Sequence, residues 1–212
     1  DENNPSEQYQ KLYTAYEQQN YDKVISESER LIQELSGDEI IPKFELLKAM
    51  AEGRLKGFEA YKEGLNYVAL NYPQSEEGKK AQELMSKAIP GLAKKEFLQD
   101  TIANSFKLIF SFEKTNSGEA ATFRRKIEGI IQELNYGEME VSLDVYDQNR
   151  DFVVVHGFPS AGNAAGFAEK ILTDNKYRID NKSFYISTPN YRISQIHKTI
   201  DTYLESLNQT PQ

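Results

Sequence analysis

The hydrophobic pattern of this 212-residue chain changes period once, near residue 95, and that change restricts its fold more than any motif does. From Tyr9 to about Leu92 the apolar and aromatic residues recur at helical spacing, among abundant Glu, Lys, Gln and Ala and with almost no β-branched runs. Past Lys95 they alternate. Phe106, Leu108, Phe110 and Phe112 turn one face of the segment Ser105 to Glu113 toward a core, as a strand does. The chain therefore divides into an all-helical part over 1–92, a linker or linking helix over 93–104, and a mixed part over 105–212.

The spacing predicts helices near 6–18, 20–35, 39–54, 57–72 and 75–88. Ser36-Gly37-Asp38 and Tyr72-Pro73-Gln74-Ser75 supply stops, with Asp38 and Ser75 as N-cap candidates, and Ile89-Pro90-Gly91 ends the series. An offset of 37 carries Asn20-Tyr21 onto Gly57-Phe58, Leu31 onto Val68, Leu35 onto Tyr72, Asp38 onto Ser75, Phe44 onto Ala81 and Leu47 onto Leu84. A repeat of this length made of two helices is the signature of tetratricopeptide-like arrays.

In the mixed part, Asn116-Ser117-Gly118 reads as a turn, and Phe123, Ile127, Ile130, Ile131 and Leu134 form the stripe of an amphipathic helix that Asn135-Tyr136-Gly137 stops. Val141, Leu143 and Val145 alternate, Asp147 to Arg150 is a hairpin loop, and Phe152-Val153-Val154-Val155 suits a central strand. A helix capped by Ser160 follows, then a strand at Phe184-Tyr185-Ile186 and one terminal helix from Tyr191 with Ile193, Ile196, Ile200, Tyr203 and Leu204 inward. The order βαββαβ plus a helix predicts an α+β fold: a ferredoxin-like sandwich, one antiparallel sheet with helices on a single face.

Composition narrows the function. Twenty-five Lys+Arg against 33 Asp+Glu give a net charge of −8, which repels phosphate backbones and disfavours nucleic acid. With no Cys and two His there is no thiol nucleophile and no multi-histidine zinc site, and no apolar run is long enough to span a bilayer. The chain reads as a soluble piece of something longer. Gly157-Phe158-Pro159-Ser160-Ala161-Gly162 has the spacing of a phosphate loop, but Asn163 and Ala164 stand where a Lys and a hydroxyl are needed, so a capped strand-to-helix turn is expected. His156 and His197 lack partners in sequence and read as packing or boundary residues. Phe110, Phe112 and Phe152 could stand on central strands as base-stacking rings do in RNA-recognition modules. The acidic charge disfavours that use, and Arg150-Asp151-Phe152-Val153 is only a thin likeness of the basic, Gly-aromatic run such modules carry. Lys114-Thr115-Asn116-Ser117-Gly118 lacks the Arg of an acylphosphatase loop.

Tyr9, Tyr13, Tyr16, Tyr21, Tyr61, Tyr67 and Tyr72 give the helical part an aromatic surplus, mostly for packing on small residues such as Ala15, Ala51 and Ala60. For protein contact we expect Tyr13, Tyr16, Lys48 and Arg54 to line a groove of the repeats, and Asp147, Gln148, Asn149 and Arg150 to protrude as a hairpin. No catalytic, cofactor-binding or metal residue is expected.

Ile41-Pro42-Lys43-Phe44-Glu45-Leu46-Leu47-Lys48-Ala49-Met50, Phe58-Glu59-Ala60-Tyr61-Lys62-Glu63-Gly64-Leu65, Tyr72-Pro73-Gln74-Ser75-Glu76 and Phe184-Tyr185-Ile186-Ser187-Thr188-Pro189-Asn190-Tyr191 form an ordered series that spans most of the chain. Together they resemble the C-terminal region of the PorW/SprE family, tetratricopeptide-repeat lipoproteins of the type IX secretion and gliding machinery of Bacteroidota. The resemblance implies a periplasmic, outer-membrane-associated adaptor, noncatalytic, whose partners are ring and translocon components and whose membrane anchor is a lipid outside this chain. A peptide- or peptidoglycan-binding module, using an open sheet face, is the alternative expectation.

Overall fold

The computed structural model describes residues 4–115 and 118–208; Asn116 and Ser117, two of the three residues of the turn expected there, lie outside them. The chain divides into two compact units, the first made of residues up to Lys95 together with Ile196–Lys198, the second of Glu96–Gln195 and the residues from Thr199 on.

The first unit is helical: α1 (Pro5–Glu17), α2 (Tyr21–Glu34), α3 (Ile41–Lys56), α4 (Phe58–Asn71) and α5 (Glu76–Leu92). Each helix packs on the next, and α1 also meets α3 and α3 meets α5. Of the residues related by the 37-residue offset, Tyr21 and Phe58, Leu31 and Val68, and Phe44 and Ala81 are all inside, whereas Leu47 is buried and Leu84 only partly so. Helices α3 and α4 approach closely because glycines allow it. A Cβ on Gly64 would lie 2.6 Å from the Ala49 Cβ, and one on Gly53 2.7 Å from the Tyr61 Cβ. Ser75 caps α5, its Oγ accepting from the Gly78 N–H at 2.9 Å. Asp38 does not cap α3: its Oδ1 accepts from the Ile40 N–H at 2.9 Å, closing a turn ahead of a helix whose N-cap position is Ile40. Nor does Ile89-Pro90-Gly91 end α5 early. Pro90 removes one backbone donor near the helix end, and buried Ile89 holds the last turn on the core.

The second unit is mixed: β1 (Phe106–Glu113), α6 (Glu119–Glu133), β2 (Glu140–Val145), β3 (Arg150–Phe158), α7 (Ala161–Thr173), β4 (Ser183–Ser187), α8 (Thr188–His197, its last two residues counted with the first unit) and α9 (Ile200–Asn208). The four strands form one sheet in the order β2-β3-β1-β4, every neighbouring pair antiparallel. One face carries Leu108, Phe110, Val153 and Val155 against Phe123, Ile127, Phe167 and Ile171 of α6 and α7.

The other face is not open. Ile109, Phe152, Val154 and Ile186 are buried there under Tyr191, Ile200 and Tyr203 of α8 and α9. The continuous run Phe152–Val155 is the reason: a central strand apolar on both faces needs cover on both. The expected single terminal helix is two, divided at Lys198, whose φ of 55° ends regular helix geometry. The segment expected to be a linker or linking helix is neither over Glu96–Ala103, which belongs to the second unit with only a 3₁₀ turn at Asp100–Ile102. Buried Asn190 pins it, accepting from Leu98 N–H at 2.8 Å and donating to Leu98 O at 2.9 Å and Asp100 Oδ1 at 2.8 Å.

Candidate functional site

Of the four residues expected to line the groove of the helical unit, three come together. Tyr13 is 39% exposed and its ring lies between those of Tyr9 and Tyr16, with centroids 6.2 and 6.4 Å away. Arg54 on α3 donates through Nε to the Tyr16 hydroxyl at 3.4 Å. Lys43 Nζ sits 5.4 Å from the Tyr9 ring centroid, so cations of α3 flank the α1 tyrosines at both ends. Lys48 is elsewhere. Six positions before Arg54, it faces α2 instead, 3.6 Å from the Glu29 carboxylate.

The hairpin residues divide differently from expectation. Arg150 does not protrude: it makes a two-pronged ion pair with Asp201 of α9, 2.8 and 3.0 Å, another with Asp147 at 3.0 Å, and its guanidinium carbon lies 5.0 Å from the Tyr146 ring centroid. Asp147 is likewise turned inward, accepting from the Asn149 and Arg150 N–H groups at 2.9 and 2.8 Å. Burial alone would raise its carboxyl, but the Asn149 N–H and the Arg150 guanidinium hold it below the usual value. Only Gln148 and Asn149 are exposed at the tip. The guanidinium has donors enough to serve both carboxylates at once, and so clasps the hairpin to α9.

A polar cluster that sequence reasoning missed lies on the sheet face under α8. Register sets Lys107 opposite His156, and Ser142 two positions along β2 from the residue opposite His156. Lys107 Nζ is 2.8 Å from His156 Nδ1, and Ser142 Oγ is 2.7 Å from Nε2. Beside them the Tyr191 hydroxyl donates to Asp144 at 2.5 Å. The Ser–His contact looks like half of a hydrolytic triad, but its polarity is reversed. An ammonium is donor only, so Nδ1 accepts from Lys107, Nε2 carries the ring hydrogen and donates it to Ser142, and the imidazole has no lone pair for the serine proton. Burial, reinforced by Lys107, lowers the His156 pKa, and burial lowers that of Lys107. The polar positions of three separate strands gave no signal in sequence, because only the register joins them.

His197 packs within the first unit, Nε2 2.8 Å from the Leu92 carbonyl and its ring 5.0 Å from that of Phe58. Phe110 and Phe112 lie against Phe123, centroids 4.7 and 5.1 Å away, and Phe152 stacks on Tyr146 at 4.4 Å, so none offers a ring for base stacking. Lys114 lies 3.9 Å from Asp151. The strand-to-helix turn after β3 is a capped turn: Ser160 Oγ accepts from the Asn163 N–H at 3.1 Å, and Ala164 is buried. Beside it, between the turn Asn135–Met139 and the outer side of α7, opens a cavity of about 620 Å³. Among the described residues, no group of three or more His, Asp or Glu side chains could hold a metal ion, and no helix is long and apolar enough to cross a membrane. No protein-family model matches the chain, and no curated protein matches it.

Proposed function

We propose that this chain is a noncatalytic periplasmic adaptor of the type IX secretion and gliding machinery, holding ring or motor proteins to the outer-membrane translocon. In this reading the first unit is a tetratricopeptide-like array and the second a ferredoxin-like sandwich with added terminal helices. The stacking of each helix on its successor, together with the contacts of α1 with α3 and of α3 with α5, supports the array. The strand order β2-β3-β1-β4 with α6 and α7 on one face supports the sandwich.

The observation that carries the adaptor reading is the aromatic surface of α1 flanked by Lys43 and Arg54. Tyrosine and arginine dominate protein-binding hot spots, and two flanking cations favour an acidic partner segment. The test is capture of the tagged chain's partners from a Bacteroidota envelope extract, paired with a secretion assay. Wild type should enrich ring or translocon subunits, and Tyr13→Ala with Arg54→Glu should lower that enrichment at least tenfold without changing the helical content. Normal cargo export and gliding in cells lacking this segment would overturn the reading. The alternative of a peptide- or peptidoglycan-binding module loses its open sheet, since α8 and α9 cover that face.

A further inference from the structure

Phenols, not carboxylates, surround Arg54. Arg30, Arg124 and Arg150 each meet a carboxylate, at 2.7, 2.8 and 2.8 Å, and Arg125 bonds the Thr122 hydroxyl. Arg54 has no carboxylate within 4.0 Å among the described residues, in a chain whose net charge is −8. Glu52, two positions earlier on α3, lies about 200° around the helix and is taken by Lys56 at 3.9 Å. Instead Tyr16, Tyr21 and Tyr61 all lie within electrostatic reach of the guanidinium. Its Nε hydrogen goes to the Tyr16 oxygen at 3.4 Å, and the hydrogens of its two terminal nitrogens are unspent.

Gly53 builds this arrangement. A Cβ there would lie 2.7 Å from the Tyr61 Cβ and 2.9 Å from its Cγ, so the missing side chain is what lets Tyr61 of α4 lie against α3 beside Arg54. The Tyr61 hydroxyl bonds to no group of the protein among the described residues. Burial raises its pKa, Tyr16 adding to this and Arg54 opposing it, so the phenol keeps its hydrogen and can donate it. Tyr16 has accepted from Arg54 and still has its own O–H to give. Its ring is fixed by Tyr21, edge-on at 5.4 Å, and by Tyr13, stacked at 6.4 Å. Terminal guanidinium N–H groups and two phenol O–H groups are thus gathered with no acceptor to receive them. Exposure alone does not make such a site: Arg178 and Arg192 are also exposed and without a carboxylate, but their guanidinium groups bond to no hydroxyl among the described residues.

We propose that Arg54, Tyr16 and Tyr61 form a receptor for one carboxylate, the aspartate or glutamate side chain of a partner segment lying along the α1 tyrosines. In naming a protein segment as the source, this rests on the adaptor reading. The two terminal nitrogens of a guanidinium match the two oxygens of a carboxylate in parallel hydrogen bonds, and the phenols reach the lone pairs that remain. One positive charge balances a monoanion, whereas a phosphate, close to a dianion at neutral pH, would be only half compensated. A side-chain amide would bring its own donors against these. Arg54 is exposed, so nothing walls off the site beyond it and a chain can run on past, which suits a side chain better than a chain end. Tyr13, 39% exposed beside Tyr16, offers its ring to an apolar neighbour on the same segment.

The test is an NMR titration of the full chain with a blocked tripeptide of glutamate between two phenylalanines, and with its glutamine counterpart. The glutamate peptide should shift the amides of residues 13–17, 53–55 and 61 with millimolar affinity, and the glutamine peptide should bind roughly fivefold more weakly. Arg54→Gln should make the two peptides equal. Tyr61→Phe keeps the ring on Gly53 and removes only the hydroxyl; it should weaken the glutamate peptide about threefold and leave the glutamine peptide unchanged, whereas a purely structural Tyr61 would move both or neither. No shift of these amides at concentrations that saturate a millimolar site overturns the proposal, as does equal binding of the two peptides by the wild type. An undiminished preference for glutamate in Arg54→Gln or Tyr61→Phe overturns it too. Stronger shifts of the same amides by inorganic phosphate than by the glutamate peptide overturn it in favour of a dianion site. The peptides contain no secretion component, so failure here leaves the adaptor reading to the capture experiment, and failure of capture leaves the chemistry of this site standing.

Discussion

Arg150 ties together three pieces of the second unit that are distant in sequence: the β2–β3 hairpin through Asp147, the ring of Tyr146, and α9 through Asp201. Arg150→Ala should destabilise the unit by about 1–2 kcal/mol in urea unfolding, the partial exposure of the Asp201 pair keeping the effect below that of a buried one. Because the Asp147 carboxyl is lowered in the fold, its contribution is present above its ordinary value near 3.8 and is lost as pH falls through its folded value. His156 acts at a milder pH. Its folded pKa lies below 6.5, so the unfolded chain takes up the proton first, and stability should decline as pH drops from about 6.5 toward the folded value. Lys107 opposes the imidazolium while Asp144 and Glu140 favour it, and burial adds to Lys107. Tyr191, from α8, holds Asp144. His156→Gln should flatten that part of the stability curve, measured by chemical unfolding at several pH values; an unchanged slope would show that another group carries it.

At the scale of elements, glycines set how closely α3 and α4 cross. Gly64→Ala and Gly53→Ala should each cost about 1–3 kcal/mol, as the new methyl meets the Ala49 or Tyr61 Cβ. Gly129→Ala on α6 should instead stabilise by about 1 kcal/mol, because a Cβ there meets nothing and helix propensity alone decides. Thermal unfolding of the three variants checks both signs. Helices α1 to α4 were legible because their apolar stripes are long and bounded by Gly, Pro and polar stops, and their ends fall within two residues of expectation. Two stops misled: Asp38 has capping chemistry but spends it two residues before the N-cap position, and Ile89-Pro90-Gly91 lies inside α5. Lys198, in turn, carries no mark in sequence of the left-handed conformation that splits the terminal helix. The strands were legible from alternation, yet alternation gives only the period. It did not reveal that α8 and α9 would close the second face, nor that Lys107, Ser142 and His156 would meet.

For the whole molecule, the boundary between units at Lys95 and Glu96 falls where the period changes, and the exposed stretch Ala93–Glu96 follows the end of α5. Limited trypsin digestion should cut first at Lys94 or Lys95, identified by mass spectrometry; early cuts inside α3 or α4 instead would contradict that boundary. The contact surfaces were less legible than the units, because a residue type can be read from a sequence while its neighbours cannot. Arg54 and Lys48 looked equivalent, and helix phase sent them to different faces. The sheet order has one more consequence, for the time course of folding. β1 is the first strand to leave the ribosome and lies between the last two to find it: Phe110 pairs with Val153 on one side and with Ser183 on the other. Until those distant segments exist, Phe106–Glu113 offers two bare hydrogen-bonding edges and a row of phenylalanines to any neighbouring nascent chain. No hairpin can shelter it locally, so the sheet closes only through long loops, and the strand that becomes the centre of the folded unit is its most aggregation-prone segment beforehand.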